Sequence, residues 1–280
     1  MAKIAGVEDD GLYCPEVGRW AEDKYCLMGM YATLFSTGMK KKWDERIYVD
    51  LYAGAGYSRV RGTNTILAGS PILALSVENP FDKYIFCEKE ERPLSALKLR
   101  SSRIAPRANV NFISGDCNRK VDEICREIPA ASSSRTVLTL CFVDPFDIEI
   151  KFDTVRKISS RFVDFLVLLA VYMDANRNYA RYTTEESHKI DEFLGYSAWR
   201  SAWATAQQNR MPFPNFLAQQ FAERMETLRY LPQPLYNMKK VRSDEKNLPL
   251  YYLALFSRHA LAYRFWEDVL SYSDDQRKMF

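Results

Sequence analysis

Arg46–Gly56, which reads RIYVDLYAGAG, decides the fold. Arg46 to Tyr52 is nearly apolar apart from Asp50 and runs straight into Ala53-Gly54-Ala55-Gly56. A strand that is apolar on both faces belongs inside a sheet covered on both sides. A glycine turn at its end lets the backbone approach a ligand with no side chain in the way.

Outward from this stretch, the pattern repeats. Lys83–Cys87 (KYIFC) ends at Glu88, Val110–Ser114 ends at Gly115-Asp116, Thr136–Val143 (TVLTLCFV) ends at Asp144-Pro145-Phe146, and Phe162–Ala170 is a fifth apolar strand. Helical segments separate them. Ser70-Pro71, with serine as N-cap and proline at the first helical position, starts a helix running to about Val77. Others cover Arg92–Ser102, Val121–Ile128 and Phe152–Ser159. Strands alternating with helices predict an α/β doubly wound, Rossmann-like sheet.

Upstream, an arm extends to about Pro15. A helix from Glu22 to Thr37 follows, with Leu27, Met30, Tyr31 and Leu34 on one apolar face and Gly38 as its stop. Tyr57–Gly69 reads as an irregular loop. Downstream, Glu185–Leu228 reads as helical and polar on one side. Leu235–Val241 and Leu250–Phe256 read as strands, and the Arg242–Asn247 connection is too short for a crossover helix, so they form an antiparallel hairpin. A last helix covers about Ala260–Leu270. The expectation is one domain over residues 1–280, with an arm and helix at 1–40 and a helical insertion at about 185–230. Its mostly parallel seven-stranded sheet would carry one antiparallel strand from the C-terminal hairpin.

Composition agrees with a globular chain: 47% of the 280 residues are apolar and 27% charged, enough for a large core. A net charge of +3 neither marks nor excludes a nucleic-acid-binding protein. The six cysteines form no C-x-x-C pair, and Cys87 and Cys141 sit in apolar runs as core residues. His188 and His259 are far apart, so no zinc site is expected. Met1–Asp10 lacks the apolar stretch of a signal peptide, and no apolar run reaches the ~20 residues that span a bilayer. The expected location is the cytoplasm.

In a doubly wound sheet, ligands bind at the carboxyl ends of the strands. The backbone of Tyr52, Ala53, Gly54 and Gly56 would cradle the ligand. Asp50 suits an ammonium group, Glu88 can accept from both ribose hydroxyls, and Asp116 can reach an adenine amino group. The third glycine of G-x-G-x-x-G is missing, and the next helix is delayed to Ser70-Pro71. That argues against a pyrophosphate cradle. S-adenosylmethionine, with a sulfonium and an amino-acid tail but no phosphates, fits as cofactor. Asp144, Pro145 and Phe146 would present a polar oxygen and an aromatic face to the substrate. This motif is one proline short of the [D/N/S]-P-P-[Y/F] of amino-methylating enzymes, so base methylation and a plain buried strand end both stay open. Arg59 and Arg61, in the loop over the cofactor, are substrate-binding candidates for a nucleic acid or nucleotide. His259 follows the last strand as a structural or pocket-facing histidine. Trp20, Asp23 and Lys24 would form a lid, with Asp23–Lys24 as a surface pair the alternative.

Several of these segments together resemble one family. Gly18-Arg19-Trp20-Ala21-Glu22-Asp23-Lys24, Tyr48 to Gly56, Gly69-Ser70-Pro71 and Asp144-Pro145-Phe146 look like the three-Cys-motif partner proteins (TcmP), as do Phe193-Leu194-Gly195 with Trp199 and the Leu250-Tyr251-Tyr252 to His259 segment. The resemblance runs from about Trp20 to Trp266. It implies a class I methyltransferase-like fold and a separate partner, a three-Cys-motif protein resembling radical-SAM enzymes. The cysteines of the family name belong to that partner. A methyltransferase and a non-catalytic, cofactor-binding module acting through the partner both remain open.

Overall fold

The structure, a computed structural model, describes residues 6–243 and 247–278. The arm ends in a short strand, β1 (Glu16–Val17), before helix α1 (Ala21–Met39). Gly38 lies inside α1 and does not stop it. A Cβ there would stand 2.6 Å from the Phe265 ring, so this glycine admits a close helix contact instead. Strand β2 (Glu45–Asp50) follows.

The segment read as an irregular loop is folded. Strands β3 (Tyr57–Val60) and β4 (Ile66–Ala68) form an antiparallel hairpin, and β1 pairs in parallel with β3, so the arm joins a three-stranded sheet. The alternating burial of Tyr57-Ser58-Arg59-Val60 is the period-2 signal of a half-buried strand. Helix α2 (Ser70–Leu75) is capped by Gly69, whose N–H donates to the Gly56 carbonyl at 2.7 Å. Ser70 is therefore not the N-cap: its hydroxyl turns inward to Asp50.

Regular alternation follows: β5 (Lys83–Glu88), α3 (Glu91–Ile104), β6 (Val110–Ser114), α4 (Cys117–Glu127), β7 (Val137–Val143), α5 (Phe152–Ile158) and β8 (Val163–Leu169). A π-helical turn at Val171–Ala175 opens the inserted helices α6 (Tyr179–Tyr182), α7 (Lys189–Leu194), α8 (Trp199–Gln208) and α9 (Phe213–Thr227). The segment read as a strand from Leu235 starts as a 3-10 turn at Leu235–Asn237, after Pro234. Strand β9 is only Lys239–Arg242. Residues 244–246 of the short connection lie outside the described residues. Strand β10 (Pro249–Phe256) and helix α10 (Ala260–Lys278) complete the chain, the helix running past the expected end at Leu270.

The main sheet has seven strands in the order β6-β5-β2-β7-β8-β10-β9. β10 lies antiparallel between β8 and β9, and the β2, β5, β6, β7 and β8 pairings are all parallel. This is the expected α/β doubly wound, Rossmann-like fold with its antiparallel insertion. β2 sits between β5 and β7, so the chain reverses its lateral direction there, and that switch point opens a crevice at the carboxyl ends.

Alternate side chains of each strand feed two cores. Ile47, Val49 and Leu51 pack with α4, α5 and the insertion, where Trp199, Phe216 and Phe221 are buried. Tyr48, Leu140 and Leu166 pack with α1, α2 and α10. Each such side chain contributes about 1.5–3 kcal/mol on full burial. Cys87 and Cys141 are buried in strands, as their apolar surroundings predict. Among the described residues, no helix is long and apolar enough to cross a membrane.

Candidate active site

A cavity of about 660 Å³ lies over the carboxyl ends of β2, β5, β6 and β7. The sequence candidates Tyr52, Ala53, Gly54, Gly56, Glu88, Asp116, Asp144, Pro145, Phe146 and Arg61 all line it. The N-terminal arm and α1 close one side with Val17, Trp20, Lys24 and Tyr25.

The glycine turn is fixed from three directions. Ala53 N–H donates to the Cys87 carbonyl at 2.9 Å, joining the ends of β2 and β5. Gly54 N–H donates to Glu88 Oε2 at 2.8 Å, while Glu88 Oε1 accepts from Glu90 N–H at 2.9 Å. Gly54 has φ +61°, and a Cβ there would meet no atom within 4 Å. Gly56 has φ +82°, and its Cβ would stand 3.0 Å from both Ile72 and Leu97. Thus Gly54 keeps the cavity open, whereas Gly56 lets the turn lie on α2 and α3. Asp116 lines the cavity and also caps α4, its Oδ1 accepting from Asn118 N–H at 2.8 Å.

Asp144 has a partner that the sequence motifs did not supply. Lys24 Nζ stands 2.5 Å from Asp144 Oδ2, with side chains only 6% and 11% exposed. This excludes the surface-pair reading of Asp23–Lys24. Burial by itself would lower the lysine's pKa, but the charge of Asp144, with smaller contributions from Tyr25 and Asp50, holds it above the ordinary value. The ammonium also lies 4.5 Å from the Tyr25 ring centroid and 5.3 Å from that of Trp20. Nothing local in the sequence announces a contact across 120 positions; the sequence offered Lys24 only as part of a lid or of a surface pair with Asp23.

The loop after β7 is anchored by Asp174, in the π-helical turn. Its carboxylate accepts from Ile148 N–H at 3.0 Å, the Tyr182 hydroxyl at 2.9 Å and Asn178 Nδ2 at 2.7 Å. Phe146 therefore projects from a braced loop, and it is 82% exposed at the mouth. Arg177, which sequence reasoning did not select, joins Arg61 among the residues lining this cavity.

Two expectations need correction, and the open reading of His259 is decided for a structural role. Asp50 is fully buried and does not line the cavity. Tyr48 donates to its Oδ2 at 3.1 Å, Tyr52 N–H approaches Oδ1 at 3.3 Å, and Ser70 bonds it as well. Burial first, and then the nearby Asp144 charge, push its pKa up to about 7. Asp50 thus braces the strand end from beneath; direct contact with a ligand ammonium is not its arrangement. Arg59 pairs with Asp9 of the arm and is absent from the cavity wall, because strand alternation turns it away. His259 lies at the opposite end of the sheet, because antiparallel β10 carries it away from the other strands' carboxyl ends. There its Nδ1 accepts from Leu261 N–H at 3.1 Å.

The arm is part of the site rather than a loose extension. Buried Arg100 donates to both carboxylate oxygens of Asp10 at 2.8 and 2.6 Å, and to the carbonyls of Tyr13 and Ala55 at 2.8 and 2.7 Å. One guanidinium therefore ties the arm to the glycine turn.

No family model and no curated protein matches the chain. Among solved structures, it is similar to a putative O-methyltransferase from Klebsiella pneumoniae, at 12% identity over 89% of this chain and 84% of that one, with TM-score 0.46. It is also similar to the O-methyltransferase TomG from Streptomyces achromogenes in complex with SAM, at 10% identity over 91% and 93%, with TM-score 0.45. A precorrin-6y C5,15-methyltransferase from Geobacter metallireducens gives 11% identity over 91% and 98%, with TM-score 0.43. At such distances the cavity's own residues must carry the functional reading.

Proposed function

We propose that this chain is an S-adenosylmethionine-dependent methyltransferase acting on a nucleotide or nucleic acid, in concert with a three-Cys-motif partner protein. The observation that carries the reading is the Gly54–Glu88 hydrogen bond at the switch point, which couples an open glycine turn to an acid at the end of the neighbouring strand. A nucleoside lying against the Gly54 backbone would bring its ribose hydroxyls to Glu88. Each Glu88 oxygen already accepts one backbone N–H, and a carboxylate oxygen has a second acceptor site. Asp116, on the same wall, is suited to an amino group of the base.

Bound there, S-adenosylmethionine would supply an electrophilic methyl group on a sulfonium. The chain's own task is to position the acceptor in line with that methyl group, the effect that dominates such transfers. Lys24 fixes one Asp144 oxygen, leaving the other to accept a hydrogen bond from the acceptor's amine or hydroxyl and orient its lone pair. Phe146 offers an exposed ring on which a planar base can stack. Arg61 and Arg177 suit a phosphate at the mouth. The partner protein rests on the sequence resemblance alone.

Calorimetry with S-adenosylmethionine and S-adenosylhomocysteine tests the cofactor; no heat at millimolar ligand overturns it. Binding of RNA and DNA oligomers across a salt series tests the acceptor class. Affinity should fall as salt rises, and a flat response or no binding rejects it. Cofactor binding without methyl transfer, even when the three-Cys partner is supplied, would identify a regulatory module instead.

A further inference from the structure

At the end of the sheet away from the active site, three stretches far apart in the sequence meet: Lys40-Lys41-Lys42-Trp43 after α1, Arg161-Phe162 before β8, and Ser257–Phe265 running into α10. A second cavity, of about 320 Å³, opens between them. Its walls are largely aromatic, from Tyr31, Phe35, Trp43, Phe162 and Phe265. Phe162 is 55% exposed, its ring 5.7 Å from that of Trp43. An exposed ring beside an apolar hollow marks an interaction site. The rim carries one sign of charge. The three stretches hold Lys40, Lys41, Lys42, Arg161, Arg258 and Arg264 and no acid, and none of the six makes an ion pair among the described residues. Lys40 donates to Asn79 Oδ1, and Arg258 to the carbonyls of Ser159, Arg161 and Leu228. The adjoining acids are already engaged. Asp44 accepts from Thr136 N–H at 2.7 Å and from its hydroxyl at 2.8 Å, and Asp164, on the cavity wall, is 7% exposed and hydrogen-bonded by Ser257.

We propose that this cavity and its rim dock an acidic segment of a partner protein, one aromatic side chain of which seats in the cavity while its carboxylates face the basic rim. A large apolar anchor in a pocket supplies most of the energy of such an interface, and a rim of one sign steers the oppositely charged partner and rejects a basic one. The cavity lies at the small end of ligand pockets, about 300–1,000 Å³, which suits an anchoring side chain. A nucleic-acid base fits the walls less well, because its polar edges need partners when buried, and the polar groups lining the cavity are spent: Ser257 on Asp164, and Arg258 on backbone carbonyls. The surface is remote from the carboxyl ends of the strands, so docking here leaves the active-site cavity open.

The test titrates the full chain, by calorimetry, with an acetylated heptapeptide whose central tryptophan is flanked by aspartates and glutamates. Its comparators carry lysines in place of the acids, or alanine in place of the tryptophan. The acidic tryptophan peptide should bind about tenfold or more tightly than either, and its affinity should fall as salt rises from about 0.05 to 0.5 M. Phe162→Ala, which trims an exposed ring, and Lys41→Glu combined with Lys42→Glu should each remove about tenfold of that affinity. Ala262→Leu, which fills the cavity, should abolish binding, with melting curves verifying the fold of each variant. No binding of the acidic peptide at millimolar concentration, equal binding of the lysine peptide, or full affinity in folded Phe162→Ala would each overturn the assignment. Loss of RNA-oligomer or phosphatidylserine-vesicle binding in the same variants, with peptide affinity unchanged, would overturn it in favour of a nucleic acid or a membrane.

Discussion

Replacing Lys24 with methionine removes a cation from the cavity wall and leaves Asp144 beside it uncompensated. The pair is 2.5 Å apart, with side chains 6% and 11% exposed. Breaking such a buried pair by deleting one partner costs about 3–5 kcal/mol, whereas removing both charges together is far cheaper. At an unfolding entropy of about 2.1 cal/mol/K per residue, a 280-residue chain has roughly 0.6 kcal/mol/K. The melting temperature of Lys24→Met should therefore fall by about 5–8 °C. Asp144→Asn combined with Lys24→Met should recover much of the loss, with a coupling energy of about 2–3 kcal/mol. The lysine's pKa is raised in the folded state, so the lysine's share of the stabilisation is fully present below about pH 10 and is lost as pH rises through the folded value. Differential scanning calorimetry at neutral pH reads Lys24→Met, Asp144→Asn alone and the double variant, which together close the cycle. A drop below about 2 °C, or a double variant no more stable than Lys24→Met, would refute the buried-pair account.

Three further outcomes follow from the site. Glu88→Gln should weaken S-adenosylhomocysteine binding by about 10–100-fold in calorimetry, because one amide end cannot accept from both Gly54 N–H and Glu90 N–H and the charge is gone; a change within about twofold would remove Glu88 from the cofactor site. Gly56→Ala should lower stability by about 1–3 kcal/mol, since it combines positive φ with close contacts to Ile72 and Leu97. Gly54→Ala carries the strain of positive φ but no close contact, so it should lower stability less than Gly56→Ala and impair ligand binding more, and the reverse ranking would contradict the assigned roles. Hydrogen bonding from Arg100 is the main cause holding Asp10 below its ordinary pKa, so that contribution is present above about pH 4 and lost as pH falls through the folded value. Limited proteolysis should find the arm protected at pH 6 and cleaved faster near pH 3; equal cleavage at both would refute the clamp.

The five parallel strands of the main sheet, their order of appearance and the glycine turn were legible in local residue patterns. β2, β5, β7 and β8 are largely apolar runs, and the first three lead directly to Asp50, Glu88 and Asp144, a signal confined to a few neighbouring positions. The antiparallel β10 was legible from one short, charged connection. Tyr57–Gly69 escaped because its strands have only four and three residues, too short for periodicity to stand out. Tertiary structure decided which polar side chains face the cavity. Asp50 and Glu88 each lie at or beside a strand end, yet Tyr48 and Ser70 draw the first beneath the floor while Gly54 holds the second at the wall. It alone joined Lys24 to Asp144 and Arg100 to Asp10, across 120 and 90 positions. Strand pattern reflects neighbours along the chain, whereas a buried charge takes its role from whichever opposite charge the folded layers bring within hydrogen-bonding distance.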